Sequence, residues 1–183
     1  SSASDVYKRQ LKNGADVVIT GRVADPALTL APLCYEYGWT LEKNPEQFGQ
    51  GILAGHLIEC GPQSTGGTFA DPPYKKAIDL AHMGFPIVEF DESGRFVITK
   101  PEGTGGEVTK DTVKEQVLYE IHDPKAYLTP DAIADFSQTH LTQVGKDRVM
   151  VEGATSHGRP EKLKVNLCYK DSFTCEGGVT LSL

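Results

Sequence analysis

The sequence predicts an α/β fold: a parallel-core layered sheet with helices, extended by antiparallel hairpins, in a chain that is a truncated fragment of one domain. Three observations carry this expectation. A β-branched run before a glycine, ADVVIT (residues 15–20), reads as a buried strand. Two segments with helical grammar follow it, each opening on a cap-and-proline pair and closing on glycine. The second half then alternates apolar and polar residues as antiparallel strands do. Strand, helices and then hairpins place the parallel core in the first half and an accessory sheet in the second.

In DPALTLAPLCYEYG (25–38), Asp25 suits the N-cap and Pro26 the first helical position. Leu28, Ala31 and Tyr35 share a face, Pro32 should bend the helix, and Gly38 can end it. NPEQFGQGILAGHLIECGP (44–62) repeats the scheme, with Asn44 as cap, Phe48, Ile52 and Ile58 as the apolar side, and Gly61-Pro62 as the stop. Gly51 and Gly55 each weaken a helix by about 1 kcal/mol relative to Ala, a cost that close approach of another backbone would offset. The same glycines suit packing between chains as well as within one.

PIVEFDESGRFVITK (86–100) reads as a hairpin turning at Ser93-Gly94. TKDTVKEQVLYEI (109–121) reads as an amphipathic helix with Val113, Val117 and Ile121 in register and a capping box from Thr112 to Glu115. HLTQVG, DRVMVEG and KLKVNLCYK alternate like antiparallel strands.

The 183 residues suit one domain, and 39% hydrophobic with 23% charged residues suit a globular one. No apolar run reaches the roughly 20 residues of a membrane span. The formal charge is −7, from 18 basic and 25 acidic residues, without a basic stripe. Nucleic acid is therefore not an expected partner, because phosphate binding needs clustered Lys and Arg. Cys34, Cys60, Cys168 and Cys175 form no CxxC pair and read as reduced thiols of a cytoplasmic protein. DVYKRQ (5–10) resembles the translated end of a transposon used in sequencing libraries, and LSL (181–183) the same element in reverse. Residues 1–10 and 181–183 are therefore expected to be adapter-derived, with 11–180 a fragment of one domain, as set apart from fold reasoning.

Four stretches carry residues suited to chemistry. TGRVADP (20–26) joins the expected strand to a helix, where ligands bind in open α/β sheets; Arg22 could hold a carboxylate or phosphate there or make a structural ion pair. His56 and Cys60 are four apart on one helix face, with Glu59 three from His56. A Cys–His pair can yield a thiolate nucleophile. Cys60, however, falls in the last helical turn, where the dipole and Glu59 both disfavour a negative sulfur, and packing is its plain role. The dipole there favours a His56 imidazolium. Glu59 is the candidate general acid or base if it lines a pocket; a solvated glutamate is its plain role. No metal site is expected, since the cysteines lack ligand spacing. The loops STGG (64–67) and GTGG (103–106) offer unhindered N–H groups, through Thr65, Gly66, Gly67, Thr104, Gly105 and Gly106, that could cradle an anion, with Lys100 and a helix N-terminus beside the second. Their plain role is two tight turns with positive φ. Neither loop matches a phosphate-binding fingerprint.

The segments GADVVITGRVADPALTLAPL, AGHLIECGPQSTGGTF, GFPIVEF, FVITKPEGTGGEVT, TVKEQVLYEIHDPKAYLTPDAIADF and DRVMVEGATSHGRPEKLKV, in this order over residues 11–180, resemble the acyclic terpene utilisation protein family. The resemblance implies a role in bacterial catabolism of acyclic terpenes such as citronellol and geraniol, which proceeds through acyl-CoA thioesters. It assigns no catalytic residue. The expected protein is thus part of a catabolic enzyme acting on a carboxylated or CoA-linked branched aliphatic substrate, with a CoA thioester as substrate rather than a bound cofactor. The alternative is a non-catalytic binding or assembly subunit, a homo-oligomer or a partner of another pathway protein.

Overall fold

A computed structural model describes residues 3–173 and 177. Helices α1 (Ala3–Lys12), α2 (Ala27–Glu36) and α3 (Pro45–Ile58) come first, then a 3₁₀ turn (Gly61–Thr65). The hairpin β1 (Ile87–Phe90) and β2 (Phe96–Thr99) precedes α4 (Lys110–Leu118). Short strands β3 (Tyr127–Leu128) and β4 (Ile133–Asp135), the hairpin β5 (His140–Gly145) and β6 (Arg148–Glu152), and β7 (Thr155–Ser156) complete the order. One sheet runs β1-β2-β6-β5 and the other β3-β4-β7, and every paired strand is antiparallel.

The mixed helix-and-sheet class holds, but the parallel core does not. Residues 15–20 join no sheet, and Val17 and Ile19 are 76% and 92% exposed. A parallel pair needs a second strand delivered by a crossover. After α3 the chain enters hairpins instead, so no such strand arrives among the described residues. KLKVNLCYK (162–170) likewise forms no strand; Leu163, Val165 and Leu167 stand exposed. Alternation specifies a two-faced strand only where a neighbouring edge accepts its backbone.

The hairpin at Ser93-Gly94 forms as expected, pairing Ile87 with Thr99 and Phe90 with Phe96. Register then places Phe96 against Val151 and Ile98 against Val149, all four buried on one face. Leu30, Ile52, Leu53, Leu57 and Val113 pack in the same core. Each fully buried aliphatic of this kind contributes roughly 1.5–3 kcal/mol of transfer free energy. Gln50 is buried within it, donating from Nε2 to the carbonyls of Gly94 and Val151 (3.1 Å each) and accepting the Ala154 N–H at 2.9 Å. One polar side chain thus ties α3 to the hairpin turn and to the end of β6.

Helix α3 begins after Asn44 and ends at Glu59, close to the expected bounds. A Cβ on Gly55 would stand 2.6 Å from Pro26 Cα, and one on Gly51 2.8 Å from Leu30 Cδ1. The close backbone approach inferred for these glycines is made at Gly55 by the start of α2 of the same chain; at Gly51 the near atoms are side-chain tips of α2. Three local expectations shift. Asp25 is not the α2 cap: Pro26 itself occupies that position with helical φ and ψ, and no side-chain cap bond forms. The buried face of α2 is Ala27, Leu30, Ala31 and Cys34, leaving Leu28 and Tyr35 exposed, because α1 and α3 both pack on it. The capping box of α4 is Thr109 with Thr112, one turn earlier than Thr112 with Glu115. Helix α1 contacts α2 and buries Tyr7.

Candidate functional site

The C-terminal end of α3 gathers His56, Glu59 and Cys60. His56 is 1% exposed. Its Nε2 lies 2.8 Å from the Gln116 carbonyl and its Nδ1 3.1 Å from Glu59 Oε1. Nε2 therefore carries a hydrogen and donates it to the carbonyl. Nδ1 faces a carboxyl oxygen, so a hydrogen bond there needs a second proton, held by the ring or by Glu59. Tyr127 and Phe136 enclose the imidazole, with ring centroids 5.4 and 6.1 Å away.

Gln116 locks the arrangement. Its Nε2 donates to the His56 carbonyl at 2.9 Å, and its Oε1 accepts from Gln63 Nε2 at 2.9 Å. The imidazole and the amide thus bind each other's backbone, joining α3 to α4. Gln63 comes from the 3₁₀ turn that Gly61 starts, and Ser64 in the same turn donates to the Leu57 carbonyl. The end of α3 is held from three sides.

Cys60 follows Glu59 directly. Burial raises its thiol above the ordinary value; the Gln116 side chain works the other way, and Glu59, Glu120 and Asp25 add to the rise. Burial also pushes Tyr127 up, again with Glu59, Asp25 and Glu120 nearby. For Cys60 and Tyr127 the surroundings thus favour the neutral, proton-bearing form. Asp25 belongs to this group because Pro26 packs against Gly55. Glu120 reaches it from the end of α4 with φ of +57°, a left-handed conformation unusual for Glu.

The two Thr-Gly-Gly bends meet each other by tight packing. The Glu107 N–H donates to the Thr65 carbonyl at 2.9 Å, and a Cβ on Gly106 would stand 2.4 Å from that same oxygen. Gly66 and Gly106 have the positive φ expected of turns, +101° and +76°. Their amides have carbonyl partners within the chain: Gly66 to Gln63, Gly67 to Pro62, Gly105 to His82 and Gly106 to Ile78. Thr65 is fully buried, and Thr104 donates its hydroxyl to the Pro101 carbonyl. Lys100 Nζ donates to the Thr104 carbonyl at 2.7 Å and lies 3.7 Å from Asp147. Arg22 is exposed and has no hydrogen bond or ion pair among the described residues. The structure thus brings Glu59, Cys60 and the end of the 20–26 turn together, and joins the two bends to each other.

Sequence reasoning missed Gln116 and Tyr127, and treated His56 only as a dipole partner. Gln116 did leave a signal: it lies three residues from Val113, a polar residue inside the buried stripe of α4. Among the described residues, no group of three or more His, Cys, Asp and Glu side chains is arranged to hold a metal ion. Cys34, Cys60 and Cys168 are free thiols; Cys175 lies outside the described residues.

No curated protein and no solved structure matches the chain. The family model described as acyclic terpene utilisation family protein AtuA matches residues 7–182. The chain therefore belongs to the acyclic terpene utilisation family.

Proposed function

We propose that this protein is a cytoplasmic catabolic enzyme that moves a proton on a carboxylated or CoA-linked branched aliphatic substrate, with Glu59 as general acid or base. The observation that carries this reading is the His56–Glu59 dyad, in which a buried imidazole, fixed by Gln116, orients a carboxyl group that retains access to solvent. An acid–base group works best when its carboxyl is positioned and its proton partner is close. Cys60, with its raised thiol, serves as a neutral neighbour and not as a nucleophile. Arg22 is the cation for the substrate's anionic end: it is exposed, lacks a partner among the described residues, and lies three residues before Asp25. The Thr-Gly-Gly bends and Lys100 support the wall that carries Gln63. Family membership supports the substrate class, and no helix among the described residues is long and apolar enough to cross a membrane.

The test is solvent deuterium exchange into a branched, unsaturated acyl-CoA, with binding measured separately. Glu59→Gln should abolish exchange and leave binding within about threefold, while Arg22→Ala should weaken binding about tenfold. Exchange that survives in Glu59→Gln, or binding unchanged in Arg22→Ala, overturns the corresponding assignment.

A second reading, an assembly subunit, is favoured by the exposed apolar runs at Val17 and Ile19 and at Leu163 to Leu167. Size measurement alone and with pathway partners tests it; a solitary, active monomer overturns it.

A further inference from the structure

We propose that the cleft between α4 and the start of β5 binds a small amphiphilic anion, a carboxylate on a short aliphatic chain. The cleft is open to solvent and offers about 380 Å³, within the range of roughly 300–1,000 Å³ that small-molecule sites occupy. Its floor is apolar: Val117 and Phe136 are buried there and Leu141 is half-buried. Its rim is cationic. Lys110 and Lys114 lie one helical turn apart on the same face of α4, both exposed and without an ion-pair partner among the described residues. His140 adds ring nitrogens from the other wall, and Asp111 is the one acid on the lining.

Thr139 also lines the cleft. Cationic rim and apolar floor together select a ligand with an anionic head and a hydrocarbon tail. A cation would meet two lysines, and a neutral alkane would leave them without a counter-charge. Phe136 also stacks on His56, so the cleft and the dyad share a wall. The cleft would hold its ligand whether or not Glu59 transfers protons, and binding alone is read in the test.

The protein is titrated with octanoate and with octylammonium by calorimetry, and the methyl resonances of Val117 and Leu141 are followed. Octanoate should bind with one-to-one stoichiometry and shift both residues, and octylammonium should bind at least about tenfold more weakly. Lys110→Glu with Lys114→Glu should reduce octanoate affinity about tenfold or more at unchanged melting temperature; if that pair fails to fold, Lys110→Gln with Lys114→Gln decides. Unshifted methyls, equal affinity for the two probes, or undiminished octanoate binding in the folded lysine variant overturns the proposal.

Discussion

Alanine at Gly55 separates two opposing effects that differ in sign. In a helix interior, Gly→Ala favours folding by about 1 kcal/mol through backbone entropy. Against this, the new Cβ would stand 2.6 Å from Pro26 Cα, 2.9 Å from its carbonyl oxygen and 3.0 Å from its Cβ. These atoms belong to the backbone and ring at the start of α2, which cannot rotate aside. Overpacking of this kind typically costs about 1–3 kcal/mol, and a contact with backbone belongs at the upper end. The clash wins, and Gly55→Ala should lose about 1–2 kcal/mol net, lowering the melting temperature by about 2–8 °C for a chain of this size. Gly51→Ala is the internal control. There the nearest atom, at 2.8 Å, is the Leu30 side-chain terminus Cδ1. A side-chain tip can shift, so gain and loss should cancel to within about 1 kcal/mol. Urea denaturation with a shared m-value measures both. A Gly55→Ala variant more stable than the parent, or a Gly51→Ala variant that is the worse of the two, would refute the backbone-contact account.

Three further outcomes follow from the site. Gln116→Met strips the His56 carbonyl and the Gln63 amide of their partners in a buried setting, and should destabilise by about 2–4 kcal/mol in chemical denaturation. Alkylation at pH 8 should label Cys168 first, Cys60 slowly and Cys34 least, because burial pushes the Cys34 thiol from 9.0 up to about 12; since that pKa is raised on folding, the associated stability is complete below pH 9 and is lost as the pH climbs toward 12, which a Cys34→Ala comparison would register. Glu120→Gly relieves a left-handed backbone just past α4 and removes a carboxylate that raises Cys60, so it should add up to about 1 kcal/mol of stability while speeding Cys60 alkylation, read by melting and by mass spectrometry.

The elements readable from the sequence are those whose information is local. The β1–β2 hairpin needed only its alternating arms and its Ser-Gly turn. Helix α3 announced itself by its proline start, and its glycines announced a close neighbour, although not which one. The strands β3, β4 and β7 are two or three residues long, too short for any period to register; α3 packs beside β4 and β7, and β3 pairs with β4. Residues 15–20 and 162–170 carry strand patterns of full strength, yet a pattern states only what a segment can bury, not whether an edge comes to meet it. The same division runs through the site. Glu59 and Cys60 were visible as adjacent reactive groups. The Gln116 clasp, with its partners 53 and 60 positions away, is a property of tertiary packing alone.

Wedging α3 between two neighbours has a mechanical consequence. On one flank Gly55 admits the start of α2; on the other, a Cβ on Gly49 would overlap the Thr155 carbonyl group at 2.2–2.3 Å, so the main chain of β7 lies flush against the helix. A rod gripped on both sides cannot slide or roll to suit a guest. Whatever accommodation Glu59 makes falls to the joint just beyond the rod, where Cys60 and Gly61 leave the helical path.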